Sequence, residues 1–237
     1  SIQTFGGAYS NHLLATAFAC KKLYIPCKGI IRGEQPATLS PTLQQCLDLD
    51  MQLEFLSREE YASVSNKQHS ITDTLVIPEG GYHPMGAKGA SLIMDAIAPL
   101  NASHICVAVG TATTLAGILQ KSTEAHTVVA VPVLKGFSDI HKRLYMLNGH
   151  DHYSNLKIRD TYHFGGYAKK TSGLLHFMNT LYKDHTLPTD FVYTAKLMYA
   201  IFDMINEDQF LPGSHICCLH TGGLQGNQSL SPGSLIF

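Results

Sequence analysis

Short apolar runs alternate along the chain with apolar residues at helical spacing. Runs such as residues 28–32, 104–109 and 127–133 are rich in β-branched residues and have the length of buried strands. Residues 13–23, in contrast, place their apolar side chains along one helix face. Strands that alternate with helices are typical of parallel sheets covered on both faces, so the pattern predicts an α/β fold.

The same patterns give approximate bounds for each element, and they leave residues 57–70 polar and irregular. The predicted strands are one near residue 4 and those over residues 28–32, 52–55, 75–77, 104–109, 127–133, 158–162 and 215–220. The predicted helices cover residues 13–23, 40–50, 85–100, 115–121, 137–143 and 172–182, and a last helix opens at residue 188.

A turn of glycine and small hydroxyl residues follows the predicted strand 104–109. The turn spans residues 110–114, and a helical pattern follows it. Glycines let the backbone approach an anion, and the N–H groups at a helix start attract negative charge. The turn therefore predicts a phosphate site, although a purely packing role remains an alternative. It is neither a P-loop nor a complete dinucleotide fingerprint.

Composition narrows the possible functions. The 237 residues carry a formal net charge of −1 and no basic run of the kind that nucleic-acid binding needs. No stretch of apolar residues is long enough for a membrane span, and no leader pattern is visible, so we expect a cytoplasmic protein. The six cysteines form no CxxC pair and are expected to be buried, reduced thiols. The thirteen histidines lack metal-ligand spacing, and no metal site is predicted.

A second glycine turn precedes the helix that starts near residue 11. Ser10 and Asn11 stand where a helix N-cap is expected, because their side-chain oxygens can accept an unpaired backbone N–H. From these residues alone, capping is a sufficient explanation, and a ligand site is the alternative.

Five stretches, taken together and in order, resemble the pyridoxal-phosphate (PLP) enzymes related to 1-aminocyclopropane-1-carboxylate (ACC) deaminase and D-cysteine desulfhydrase, of the tryptophan synthase β-like, fold-type II group. They are residues 5–12, 78–81, 109–117, 192–196 and 220–224. The resemblance implies two three-layer α/β domains, with PLP in the cleft between them. We place the smaller domain at residues 1–95 and most of the larger one at residues 96–237. The family is also expected to form homodimers and to act on a small amino acid.

The resemblance also assigns roles to residues. Asn11 would bind the 3′ oxygen of the cofactor ring, and Ser10, Asn11 and His12 would bind the substrate. Ser10, Tyr193 and, by looser alignment, Tyr167 would line the reacting side. Thr194 would face the pyridine nitrogen. The residues expected to hold the cofactor phosphate are Gly110, Thr111, Ala112, Thr113 and Thr114. Ala112 and Thr113 stand where the family has two glycines, which puts the shape of this turn in question.

The family's Schiff-base lysine lies upstream of the stretch that begins at Gly6. We therefore expect that about 50 residues of the family's pattern lie outside the given sequence, since PLP chemistry of this kind starts from a lysine amine. The later lysines, Lys21, Lys22 and Lys196, are predicted to be charges on helix surfaces or at helix ends.

The function implied is a PLP-dependent deaminase or lyase. Because Thr194 is a neutral hydroxyl, the electron sink should be weaker than with a carboxylate, which favours β-elimination from a D-amino acid such as D-cysteine. Its products would be a 2-oxo acid, ammonia and sulfide. The alternatives are ACC deamination, a relative acting on serine or threonine, PLP binding without turnover, and an unrelated protein that binds a phosphorylated metabolite.

Overall fold

The computed structural model describes residues 1–65 and 73–237, and they separate into two compact units, Ser1–Tyr82 and His83–Phe237. Each unit contains one four-stranded sheet, and all neighbouring strands described are parallel. The predicted α/β fold class is confirmed. The domain boundary after residue 95 stays a prediction.

The first unit has the strand order β3-β2-β1-β4. Its strands are β1 (Ile2–Gly6), β2 (Cys27–Arg32), β3 (Gln52–Leu56) and β4 (Leu75–Ile77). Its helices are α1 (Asn11–Leu23), α2 (Pro41–Asp48) and α3 (Arg58–Ser65). Leu13, Leu43 and Met51 form the centre of a core in which each is at most 1% exposed.

Helix α3 lies in the stretch 57–70 that was predicted to be irregular, and that prediction is wrong for residues 58–65; residues 66–72 lie outside the described part. A sequence signal for this helix exists. The side chain of Ser57 accepts from the backbone N–H of Glu60 at 3.3 Å, and the Glu60 carboxylate accepts from the Ser57 N–H at 3.0 Å. This reciprocal pair is a capping box, and its Ser-x-x-Glu spacing is visible in the sequence.

The second unit has the strand order β7-β6-β5-β8. Its strands are β5 (His104–Val109), β6 (Thr127–Pro132), β7 (Leu156–Ile158) and β8 (Ile216–Cys218). Its helices are α4 (Pro84–Ala90), α5 (Ile93–Ile97), α6 (Thr113–Lys121), α7 (Ile140–Asn148), α8 (Ser172–His185) and α9 (Thr194–Asn206). None of the helices in residues 1–65 and 73–237 is long and apolar enough to cross a membrane.

Several element bounds in the second unit differ from the predicted ones, among them those of α7, which covers Ile140–Asn148 and not residues 137–143. The predicted helix 85–100 is divided into α4 and α5, and a short 3₁₀ turn follows them. Strand β7 ends at Ile158, where the predicted strand began. Helix α9 begins at Thr194 and not at residue 188, because the preceding residues form the cap described below.

The strand order reverses at β1 in the first sheet and at β5 in the second. Strand β1 pairs with β2 on one side and with β4 on the other, and β5 lies in the same way between β6 and β8. Ligands of open parallel sheets bind outside the carboxyl ends of strands at such reversals. The turns that follow β1 and β5 are the two that the sequence singled out.

Helix α6 packs against α4 at a distance that only a glycine permits. A Cβ placed at Gly117 would lie 2.5 Å from the carbonyl oxygen of Ala87 and 2.6 Å from the backbone nitrogen of Ser91. Both atoms belong to backbone, which cannot move aside as a side chain can. Gly117 thus fixes the spacing between α4 and the helix that follows the 110–114 turn.

We expect Gly117→Ala to lower the free energy of unfolding by about 2–3 kcal/mol, since overpacking a close contact carries a cost of that order. Gly89→Ala is the matched control in α4, because among the described residues no heavy atom lies within 4 Å of a Cβ placed there. The control should be neutral or stabilising by up to about 1 kcal/mol. Urea unfolding measures both, and equal values for the two variants would contradict the close packing.

Candidate active site

The turn after β1 places Ser10 at the start of α1. Its Oγ accepts from the backbone N–H of Leu13 at 3.3 Å, so the capping role is real. A Cβ at Gly6 would lie 2.7 Å from this Oγ, which explains why the turn needs glycine there. Ser10, Asn11 and His12 follow one another at the carboxyl end of β1, and their predicted ligand roles stay predictions.

His12 has one fixed tautomer. Its Nε2 lies 2.6 Å from Thr4 Oγ1, and this hydroxyl donates its single proton to the carbonyl oxygen of Ile77 at 2.9 Å. Because the hydroxyl can then only accept, Nε2 must carry the hydrogen and Nδ1 must carry the lone pair. Burial lowers the pKa of His12 to about 4. His12 is therefore a neutral hydrogen-bond acceptor at physiological pH.

The same imidazole joins two of the stretches that carry the resemblance. A Cβ placed at Gly81 would lie 3.8 Å from His12 Cε1 and 3.9 Å from Nδ1, so the turn 78–81 lies against the ring. Gly81 has a φ of 64°, in the left-handed region that favours glycine. The structure thus brings the first two stretches together inside the first unit.

The turn after β5 keeps a glycine-like shape although alanine replaces glycine. Ala112 has φ 72° and ψ 1°, a left-handed conformation that costs an L-residue roughly 1–2 kcal/mol. Ala112 is the N-cap of α6, and its methyl side chain cannot cap the helix. The hydroxyls of Thr111 and Thr113 lie 3.0 Å apart beside it. Hydroxyls and first-turn N–H groups at a helix start form a donor set that fits a phosphate group.

A buried carboxylate organises the start of α9. Asp190 is 1% exposed, and its Oδ2 accepts from the backbone N–H groups of Val192 and Tyr193, each at 2.9 Å. Its Oδ1 accepts from the backbone N–H and from the hydroxyl of Thr194, each at 2.8 Å. Burial raises the pKa of Asp190, and these hydrogen bonds oppose the shift.

Thr194 is consequently limited in what it can offer a ligand. Its hydroxyl donates to Asp190 and also accepts from the Asp190 backbone N–H at 2.8 Å. A hydroxyl has one proton, so Thr194 retains only acceptor capacity. Its side chain is almost completely buried at the first turn of α9. Its predicted position opposite a pyridine nitrogen stays a prediction.

Tyr193 contacts two other predicted site residues of the second unit. A Cβ placed at Gly110 would lie 3.1 Å from both Cε1 and the hydroxyl oxygen of Tyr193, so this ring lies directly against the 110–114 turn. The ring of Tyr167 meets it edge to face, with centroids 6.0 Å apart. Tyr167 itself is 45% exposed. The structure therefore brings Gly110, Tyr167 and Tyr193 together.

Lys196 lies near the end of a helix, as predicted, because it stands in the first turn of α9, but it is not an exposed charge. It is 0% exposed, and its Nζ donates to the carbonyl oxygens of His163 at 2.9 Å and Gly166 at 2.7 Å. Burial lowers the pKa of Lys196 to about 8, against the opposing charge of Asp190. Its place between Tyr193 and Leu197 on the apolar side of α9 was the available signal. Sequence reasoning missed both Lys196 and Asp190.

No metal centre accompanies these groups in the part of the chain that the structure describes. Within residues 1–65 and 73–237, no group of three or more His, Cys, Asp or Glu side chains is placed to hold a metal ion.

Comparisons with known proteins give relatives over nearly the whole chain. A putative ACC deaminase of Pyrococcus abyssi is 25% identical over 95% of this chain and 74% of its own length. A bifunctional D-cysteine desulfhydrase/ACC deaminase of Arabidopsis thaliana is 28% identical over 95% of this chain and 64% of its own. The crystal structure of an ACC deaminase homologue matches with a TM-score of 0.75 and 23% identity, over 95% of this chain and 74% of that one. No family model matches. The resemblance inferred from the five stretches is confirmed.

The neutral His12 predicts a specific acid sensitivity. Its pKa is depressed in the folded state, so the unfolded chain binds the proton more tightly, and the stability it contributes is lost as the pH falls from about 6.5 to about 4. Between about pH 7.5 and about pH 4.5, this loss amounts to about 2.5 kcal/mol.

The variant His12→Gln isolates that contribution, because glutamine keeps a donor for Thr4 but does not titrate. Urea unfolding of both proteins at the two pH values should show a smaller loss of stability in the variant. Equal losses in the two proteins would contradict the buried neutral imidazole.

Proposed function

We propose that this chain, a relative of the ACC deaminase and D-cysteine desulfhydrase family, acts as a PLP-dependent lyase on a small D-amino acid. The reaction would be β-elimination from a substrate such as D-cysteine, with release of sulfide and then of a 2-oxo acid and ammonia. One observation carries the proposal beyond the comparisons. Tyr193 lies against Gly110 of a phosphate turn and against Tyr167, so separate motifs of the family meet at one place.

The polar groups at these turns and at the start of α9 suit the parts of PLP. The phosphate would bind at residues 110–114, through first-turn N–H groups and the hydroxyls of Thr111 and Thr113. With its remaining lone pair, Thr194 would accept a hydrogen bond from the protonated ring nitrogen, and Asn11 would bind the 3′ oxygen. Bound PLP supplies an electron sink for the bonds at the substrate α-carbon.

The chain's own residues would orient the substrate and move protons. Ser10 and His12 lie at the N-terminus of α1, where the helix dipole favours a carboxylate. His12 would serve as a neutral acceptor through Nδ1. The phenols of Tyr193 and Tyr167 would hold or deliver a proton at the leaving group, a task that suits a positioned hydroxyl. Their edge-to-face packing fixes both rings relative to the phosphate turn.

The preference for elimination over ring opening rests on Thr194. A neutral hydroxyl stabilises a protonated ring nitrogen less than a carboxylate in direct contact would. The Asp190 carboxylate accepts the proton of the Thr194 hydroxyl. The negative charge of Asp190 would therefore reach the ring nitrogen only through the Thr194 hydroxyl. Loss of a thiolate requires a weaker sink than cleavage of a carbon ring. ACC deamination is the second candidate, because the relatives' names include it.

The test is an absorbance spectrum of the full-length protein before and after addition of D-cysteine, with assays for sulfide and pyruvate. We expect a cofactor band that shifts on addition, together with both products and little turnover of L-cysteine. The same assay with ACC should give ammonia and a 2-oxo acid more slowly. Faster turnover of ACC would overturn the substrate preference, and the absence of a cofactor band would overturn the use of PLP.

Tyr193→Phe tests the role of the phenol. The ring that packs on Gly110 and Tyr167 is retained, so the cofactor band should persist, while the elimination rate should fall by about 10²-fold or more. Tyr199→Phe on the same helix is the matched control, because the Tyr199 ring packs on Phe177. An unchanged rate in Tyr193→Phe would exclude the phenol from the reaction.

A further inference from the structure

We infer that Lys196 is a positioning residue that fixes the segment 163–167 and thereby holds Tyr167 against Tyr193. Its effect on catalysis rests on the proposed function, whereas its hold on the segment does not. Neither the resemblance nor the comparisons assign a role to this lysine.

The ammonium of Lys196 binds both ends of a tight turn. His163 and Gly166 are joined by a hydrogen bond from the Gly166 N–H to the His163 carbonyl at 3.0 Å, and Lys196 donates to the carbonyl oxygens of these same two residues. The Gly166 carbonyl also accepts from the Lys169 N–H at 3.1 Å. Charge-assisted hydrogen bonds of a buried amine are stronger than neutral ones.

The backbone of this segment needs such an external hold. Phe164, Gly165 and Gly166 within it have a positive φ, at 52°, 94° and 122°, and Ala168 directly after it has a φ of 53°. Phe164 and Ala168 are not glycine, and this conformation is sterically unfavourable for an L-residue with a side chain. Strained conformations of this kind persist where surrounding contacts impose them. Two hydrogen bonds from a lysine on a regular helix are such contacts.

The geometry connects the segment to the candidate active site. Lys196 and Tyr193 both belong to the start of α9, which the Asp190 carboxylate fixes. Tyr167 follows directly after Gly166 and meets the Tyr193 ring. The start of α9 thus carries the phenol of Tyr193, and through Lys196 it holds the backbone next to Tyr167.

Lys196 is unsuited to a nucleophilic role in this arrangement. Burial lowers the pKa of Lys196 to about 8, which by itself would favour a free amine, so its placement decides its role, and the residue is 0% exposed. Its hydrogen atoms point to two backbone oxygens of its own chain. The buried lysine therefore orients other groups and does not react itself.

The rate of limited trypsin digestion measures how easily the segment opens, since Lys169 and Lys170 are exposed just after it. Lys196→Met should raise the rate of cleavage after these two residues by about tenfold or more, because local opening becomes easier. Lys196→Arg keeps donors and should cleave at least about threefold more slowly than the Met variant. Lys142→Met, at an exposed position of α7, is the control and should leave this rate unchanged. Equal cleavage in Lys196→Met and the control would overturn the inference.

A double-mutant cycle measures the energetic coupling between Lys196 and Tyr167. Lys196→Met should lower kcat/KM by about tenfold or more, mainly through kcat, since misplaced groups lose rate. In a Tyr167→Ala background, the same change should cost less than about threefold. Losses that multiply would show that Lys196 does not act through Tyr167. Leu144→Ala, a core change in α7, controls for general destabilisation, and an equal loss of kcat there would reduce Lys196 to a structural residue.

Hydrogen exchange tests the hold on the segment in the unaltered protein. The amides of Gly166 and Lys169 should be protected well above those of residues 150–155, which connect α7 to β7, because both donate within the fixed turn. Exchange as fast as in residues 150–155 would overturn the hold on the segment. If the protein proves inactive but these amides are protected, the proposed function fails and the hold stands.

Discussion

The candidate site in the second unit depends on the hydrogen bonds that the buried carboxylate of Asp190 accepts. Three backbone N–H groups and one hydroxyl converge on it, so the first turn of α9 has a single position and a single rotation. Tyr193 lies directly before that turn, and Lys196 lies within it. A charged acceptor for unpaired N–H groups is strong when it is buried, because water cannot compete.

The two glycine turns show how parallel sheets create sites. At β1 and β5 the strand order reverses, and backbone from both sides leaves space at the carboxyl ends. The residues that fill these turns are small because neighbouring groups approach closely, as Ser10 approaches Gly6 and Tyr193 approaches Gly110. Ala112 shows that the turn's shape matters more than its residue type, since alanine accepts the left-handed conformation there.

Buried polar groups in both units fix orientation. Thr4 sets the tautomer of His12, because the Thr4 hydroxyl already donates its proton to the carbonyl oxygen of Ile77. Asp190 accepts the proton of the Thr194 hydroxyl, which fixes the direction of that hydrogen bond. Each arrangement leaves one defined acceptor. A site built in this way presents a fixed hydrogen-bond pattern, which is the condition for binding one ligand geometry in preference to others.

The sequence by itself determined the α/β class, most of the strands and helices, the two glycine turns and the resemblance to ACC deaminase and D-cysteine desulfhydrase, because periodicity and the need for small residues are local properties. It also contained the capping box of α3, which was overlooked. Only the tertiary structure decided that Lys196 is buried. Its partners, His163 and Gly166, lie 33 and 30 residues away in the chain, and a lysine is normally exposed unless such acceptors are supplied. Whether a charge is buried depends on where distant carbonyl groups are placed, and no local pattern records that.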